Sequence, residues 1–322
     1  MAESPEQVAD GLQRWLRDRG VDAGVSVDGR ATVGLSQDTW FLTIERAEGS
    51  QRAVLRLPTP ASGTRAILTQ RASLEAVAGR LPAPALLWHD DGEENPFGRP
   101  FLVMGRVDGD VPVGWQDVPE PRRTRLGEHA MDVLAALHAT DPAPLEPSES
   151  GGRAAPTELD WYLRRLERIA PLPAVLTGAL WWLERHRPPA PERSVLVHGD
   201  YRMGNLIVDG DRIAAVLDWE MAAPGDAVAD VAWCFIPLWA TAGVDERALV
   251  ARYAERTGTE VDDERFHWHR VLGYVRLAYY ALAGTRAFDS GRSDDLRLAA
   301  LRLQLPVHLD RLAATLAGEE VA

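Results

Sequence analysis

Two short apolar runs, Val195-Leu196-Val197 and Leu206-Ile207-Val208, enclose the stretch His198-Gly199-Asp200-Tyr201-Arg202-Met203-Gly204-Asn205. A third run, residues 213–217, ends on Asp218. Each run is rich in β-formers and too short for a helix. The region therefore reads as strand, loop, strand, tight Asp-Gly turn at residues 208–212, and strand. That order is restrictive. It puts Asp200 at the tip of a loop directly after a strand and a glycine. Asn205 begins the next strand, and Asp218 ends the strand after the hairpin. All three can meet at one edge.

The chain on either side differs in character. Before residue 107 the patterning predicts a helix over 4–19 with Val8, Leu12, Trp15 and Leu16 on one face. An Asp-Gly turn follows within residues 26–30. A hairpin follows from strands at 40–46 and 53–57, then a helix over 64–79, then two strands within 84–107. After residue 107 helices dominate. Residues 122–141 form an amphipathic helix with Leu126, Ala130, Leu134, Leu137 and His138 near one face. A Pro/Gly/Ser-rich loop and helices at 162–169 and 175–187 come next. From Asp226 onward the chain is helical, with breaks near Gly258 and Gly291. The expected architecture is α+β and bilobal: residues 1–107 form a small antiparallel β lobe, and residues 108–322 a larger, mostly helical lobe. The loop motif lies in the second lobe near the boundary.

Charge and composition exclude several classes. The net charge of −13 argues against nucleic-acid binding. Most of it, −11, falls in residues 108–322, which would attract a cation or a metal–nucleotide complex better than a bare anion. No apolar run approaches the roughly 20 residues of a membrane span, and the first residues lack the apolar segment of a signal peptide. The single cysteine, Cys234, allows neither a disulfide framework nor a cysteine-based zinc site, which suits a cytoplasmic setting. All 35 basic residues are arginine. A chain without lysine has no Schiff-base lysine and no lysine-bearing P-loop.

The motif's residue types suggest a chemistry. Asn205 and Asp218 offer two oxygen donors, which suit a hard cation such as Mg²⁺. Asp200, a further carboxylate nearby, can orient and deprotonate a hydroxyl. A base, an Asn and an Asp on metal, and a nucleotide over them are the parts of phosphoryl transfer. His198 reads as a brace for the loop.

Taken together, "HGDYRMGN" and "LDWE" resemble the catalytic loop of the aminoglycoside phosphotransferase-like (choline-kinase-like) small-molecule kinases, a branch of the protein-kinase-like fold. The form is closest to the subgroup associated with acyl-CoA dehydrogenases. The resemblance implies an ATP-dependent phosphotransferase, with GTP as an alternative donor, acting on a hydroxyl of a small molecule. Asp200 would be the catalytic base, and Asn205 and Asp218 would hold Mg²⁺. "GLSQDTWFL" is similar to the hairpin that covers the nucleotide, which implicates Ser36. "AVLRLP" matches the strand whose basic residue grips phosphate, which implicates Arg56. "FLVMGRVDG" looks like the hinge, with backbone groups around Met104 to Arg106 facing adenine.

One departure stands out. The acidic partner expected on the helix after Arg56 falls at Gln70, and Glu75 on the same helix is the alternative. Asp226 and Asp230 match the family's helix start; Asp226 suits an N-cap, and Asp230 a brace for the catalytic loop. Glu220 either approaches metal or substrate or has a solvent-facing structural role. Trp268, Tyr274, Tyr279 and Tyr280 are the expected aromatic candidates for an acceptor pocket. Two other readings remain: a kinase-like binding module without turnover, and a metal-dependent hydrolase using His198, Asp200 and Asp218.

Overall fold

The computed structural model describes residues 3–31, 37–59, 63–142, 145, 155–169, 171–240 and 243–318. The chain opens with α1 (Pro5–Asp18), whose first turn closes reciprocally. Ser4 Oγ accepts from the Gln7 amide, and the Gln7 side chain accepts from the Ser4 amide. Its buried stripe is Val8, Leu12, Trp15 and Leu16, as the period of the sequence requires.

Five strands follow: β1 (Gly24–Arg30), β2 (Gln37–Arg46), β3 (Gly49–Pro58), and, after helix α2 (Gly63–Val77), β4 (Leu86–Asp90) and β5 (Phe101–Gly105). They form one antiparallel sheet in the order β1-β2-β3-β5-β4. Alternation along the strands sends side chains to two faces. Ala53, Leu55, Leu57, Phe101 and Val103 pack under α1, while Val54, Leu102 and Met104 face α2 and the rest of the molecule.

One expectation fails here. The Asp-Gly pair at Asp28-Gly29 does not turn the chain. β1 runs through it with an irregularity between Val27 and Gly29, because Val27 already pairs with Leu42 and Gly29 with Phe41. A local turn signal loses to the pairing of six β1 residues with β2 on both sides of Asp28.

The second lobe contains α3 (Arg122–His138), α4 (Ala155–Glu167) and α5 (Ala174–Arg185). Then come β6 (Val195–Val197), β7 (Leu206–Asp209), β8 (Arg212–Val216) and β9 (Ala223–Gly225). The chain continues with α6 (Ala227–Cys234), α7 (Glu246–Thr257), the 27-residue α8 (Asp263–Asp289), α9 (Leu296–Ala300) and α10 (Leu305–Leu316). Trp161, expected just before a helix, lies inside α4. β7 and β8 form a hairpin, and β6 pairs with β9. The core of α3, the hairpin and Trp219 is continuous with the α2 face of the sheet. Helices α4, α5, α8 and α10 build a separate core around Tyr162, Trp268 and Tyr274.

The connector between the lobes is anchored. Asp110 and Val208 exchange two backbone hydrogen bonds, at 2.9 and 2.8 Å. Gly109, at φ 139, passes so close to β7 that a Cβ there would lie 2.7 Å from the Val208 carbonyl oxygen.

Candidate active site

Strand β6 delivers His198, Gly199 and Asp200 to the cleft. Gly199 turns the chain at φ 78, where an added Cβ would sit 2.7 Å from the Met221 carbonyl oxygen, so only glycine fits. Two orphan amides of this turn find one buried carboxylate. The His198 amide donates to Asp230 at 2.6 Å and the Gly199 amide at 2.8 Å. Asp230 also meets His138 Nε2 at 3.2 Å, and His138 Nδ1 meets the Tyr253 hydroxyl at 2.6 Å. Burial pushes the Asp230 carboxyl up, but His138 and the His198 amide outweigh it, and the net shift is downward. Asp230 and His138 are therefore loop supports.

The His198 ring is committed as well. Its Nε2 lies 2.8 Å from the Leu217 carbonyl and must donate; its Nδ1 accepts the Asp200 amide at 3.1 Å. These partners fix the neutral Nε2–H tautomer. His198 joins the Asp200 loop to the residue before Asp218, and with both nitrogens engaged it offers no lone pair to a metal.

Both oxygens of Asp200 are held by donors. Asn205 Nδ2 donates to Oδ2 at 2.6 Å, and the Trp233 indole N–H donates to Oδ1 at 2.7 Å. Arg202 Nε also reaches Oδ1, at 3.2 Å. Arg276, from the middle of α8, stacks 4.0 Å over Trp233, donates to the Gly199 carbonyl, and lies 3.8 Å from Asp200 Oδ1. Burial would lower the Arg276 pKa, but the neighbouring Tyr162, Tyr280, Asp200 and Glu158 raise it.

Asn205 and Asp218 are brought side by side through the backbone. The Leu217 amide donates to the Asn205 carbonyl at 2.8 Å, so Asp218 follows directly beside Asn205. Asp218 adopts φ 64, ψ 59, the one non-glycine residue at positive φ among the described residues. Such a conformation costs on the order of 1 kcal/mol and gathers at functional sites. The Asn205 amide nitrogen is spent on Asp200, which turns its Oδ1 away from that carboxylate. With the Asp218 carboxylate, this gives two hard oxygen donors, and the donor set fits Mg²⁺, which takes its other ligands from water and phosphate. No cluster of three or more His, Cys, Asp or Glu suited to a metal occurs among the described residues.

Across the cleft, Arg56 projects from β3 and its Nη1 lies 3.0 Å from Asp218 Oδ1. Gln37, at the start of β2, donates to Glu220 at 2.8 Å. Glu220 therefore bridges the lobes in this conformation. Gln70 is buried, and its side-chain carbonyl has no partner among the described residues. Glu75 is half-exposed and pairs with Arg71 at 2.7 Å.

Met104 lies inside the sheet between β3 and β4. The Gly105 amide donates to Ala85 and the Arg106 amide to Arg52, so both hinge amides are already engaged. Ser36 falls outside the described residues.

Of the expected pocket aromatics, Trp268 and Tyr274 are instead core: both are buried, and the Trp268 indole donates to the Leu183 carbonyl. Tyr279 packs in the same core against Tyr162 and Trp161. Tyr280 remains near the site, with its ring 5.9 Å from Arg276. Sequence reasoning missed Trp233, Arg276 and Gln37, which reach the motif from distant segments.

Comparison with known proteins bears on family and fold. A sequence model described as "Phosphotransferase enzyme family" matches residues 30–274. Acyl-CoA dehydrogenase family member 10 of Mus musculus is 32% identical over 165 residues, 48% of this chain and 15% of that protein. The chain thus spans a small part of that longer relative. Homoserine kinase of Pseudomonas aeruginosa is 30% identical over 228 residues, 65% of this chain and 66% of that enzyme. Among solved structures, a candidate aminoglycoside phosphotransferase from Ralstonia eutropha superposes with a TM-score of 0.77 at 21% identity, covering 97% of this chain and 99% of the other. Aminoglycoside phosphotransferase APH(4)-Ia, in complex with AMP-PNP and hygromycin B, gives 0.64 at 18% identity, covering 98% and 100%. These structural likenesses establish a shared bilobal kinase-like fold. With the family model matched over most of its length, the chain belongs to the phosphotransferase enzyme family.

Proposed function

We propose that this chain is a nucleoside-triphosphate-dependent kinase that phosphorylates a hydroxyl group of a small molecule, with ATP as the favoured donor. The observation that carries the reading is the placement of Asp200. Its carboxylate is fixed by Asn205 and Trp233, 17% exposed, and adjacent through Asn205 to the Asn205–Asp218 oxygen pair.

In this reading the sheet of residues 1–107 covers the nucleotide and residues 108–322 carry the chemistry. Arg56 grips phosphate oxygens, for which its planar fork is suited. Asp200 accepts the hydroxyl proton late, as the oxygen bonds to phosphorus, which asks little basicity of it. The donors on both its oxygens favour that role because they orient the carboxylate. Asn205 Oδ1 and Asp218 would hold Mg²⁺, which when bound neutralises charge building on the phosphates. Arg106, with its guanidinium 4.8 Å over Phe41, and Met104 form the floor beneath the base, which would meet hinge carbonyls because the Gly105 and Arg106 amides are spent. Ser36 would lie in the hairpin over the phosphates. A cytoplasmic setting fits the single, buried, unbridged Cys234. Among the described residues, no helix is long and apolar enough to cross a membrane.

The test is a phosphotransfer screen over hydroxylated small molecules with ATP and Mg²⁺, run beside Asp200→Ala. Transfer that is lost in the variant while nucleotide still binds supports the assignment; full transfer by Asp200→Ala rejects it. A second reading, nucleotide binding without transfer, is favoured by the neutral Gln70 where an acid is expected. Nucleotide binding without transfer to any acceptor in the screen would favour it.

A further inference from the structure

We infer that Arg56 gates the metal site: without a polyphosphate it occupies Asp218, and the metal enters efficiently only with the nucleotide that draws Arg56 away. The inference rests on the reading of Asp218 as a metal ligand.

Three observations carry it. Arg56 Nη1 lies 3.0 Å from Asp218 Oδ1, and both side chains are largely shielded, at 12% and 30% exposure. Helix α2, which faces the site from the sheet side, contains one carboxylate, Glu75, and that group pairs with Arg71. Gln70, which stands on the same helix where an acidic partner is expected, is buried and carries no charge. The guanidinium therefore takes its carboxylate from the metal site itself. A lysine-free chain reinforces this arrangement. Arginine stays charged in any protein environment and does not release Asp218 by losing a proton.

The physical consequence is competition. A divalent cation arriving alone at Asp218 meets a carboxylate already neutralised, beside a fixed positive charge that repels it. A triphosphate offers Arg56 several anionic oxygens in fork geometry. Once the guanidinium turns to them, Asp218 is free. Metal and nucleotide then arrive as one event, and a free divalent cation does not occupy the resting site. Coupling between two ligands of one site commonly amounts to roughly 5–150-fold in affinity.

The experiment uses Mn²⁺ as the probe, with free ion counted by electron paramagnetic resonance on the full chain without nucleotide. Wild type should bind Mn²⁺ weakly. Arg56→Gln should bind it at least about tenfold more tightly, while Arg56→Lys, which keeps the charge, should stay weak. Arg56→Gln combined with Asp218→Asn should lose the gain, which locates it at Asp218. Circular dichroism melts establish that each variant is folded. Equal Mn²⁺ affinity in folded Arg56→Gln and wild type overturns the gate. The underlying reading is separable. If Asp218→Asn alone leaves Mn²⁺-dependent nucleotide binding intact, Asp218 is not a ligand, and that reading fails whatever Arg56 does.

Discussion

The indole N–H of Trp233 lies 2.7 Å from Oδ1 of Asp200, and the same indole carries the Arg276 guanidinium on its face. The proposed base is thus aimed from helix α6, outside its own loop. Trp233→Phe keeps the ring and removes the donor. A hydrogen bond to a charged group contributes about 1.5–3 kcal/mol. The expected result is a fall of about tenfold or more in kcat with the nucleotide KM unchanged, measured in steady-state phosphotransfer. A proportional rise in nucleotide KM would point to a different role.

Asp230 is the shared acceptor for the His198 and Gly199 amides and for His138. Asp230→Asn replaces one acceptor oxygen by a donor that faces an amide N–H. The cost should be about 3 kcal/mol, as for other broken buried charge networks. Urea denaturation should show this as a lower midpoint, with the slope retained.

Asp226 caps α6 through the Val228 amide and meets Arg265 at 2.6 Å and His269 at 3.1 Å. Burial pushes its carboxyl up, but His269, the Val228 amide and Arg265 bring it down to about 2. Because its folded pKa lies below the unfolded value, its contribution is complete above about pH 4. It is lost as pH falls toward 2. The contribution is about 2 kcal/mol. Asp226→Asn should be less stable than wild type at pH 6, with the gap closing between pH 4 and 2 in acid titrations followed by circular dichroism.

Glu75 has its partner in Arg71 on the surface of α2. Surface pairs of this kind contribute about 0–1 kcal/mol. Glu75→Ala should therefore change nucleotide affinity by no more than about twofold in calorimetric titration. A larger loss would make Glu75 the partner of Arg56 after all.

The candidate loop was legible in the sequence because its parts lie close along the chain. His198, Asp200, Asn205 and Asp218 occupy three consecutive strand ends, and strand periodicity alone places them. The sheet was legible for the same reason, since β2 and β3 are joined by a two-residue turn between Arg46 and Gly49. Trp233 and Arg276 were not legible. They reach Asp200 from helices 33 residues and 76 residues away, and nothing local distinguishes Arg276 from the other arginines of α8. The aromatic reading failed in the opposite direction. Trp268 and Tyr274 lie on the same long helix, but its rotation turns them into the packing with α5 and α10. Gln70 was visible as a departure from the family pattern; its consequence, the pairing of Arg56 with Asp218, required the fold.

The connector is pinned at both ends: the Arg106 amide on Arg52, and Asp110 on Val208 in both directions. Between them lie residues 107–109. Any widening of the cleft that keeps these bonds must be taken up in that short span. Sliding of one lobe past the other would break the pins; rotation about them keeps both and must give way instead at the Val216–Pro82 hydrogen bond and the core that α2 shares with the second lobe. A donor nucleotide would then enter and leave by a swing about a nearly fixed axis, and stiffening residues 107–109 should slow exchange without altering the chemistry it serves.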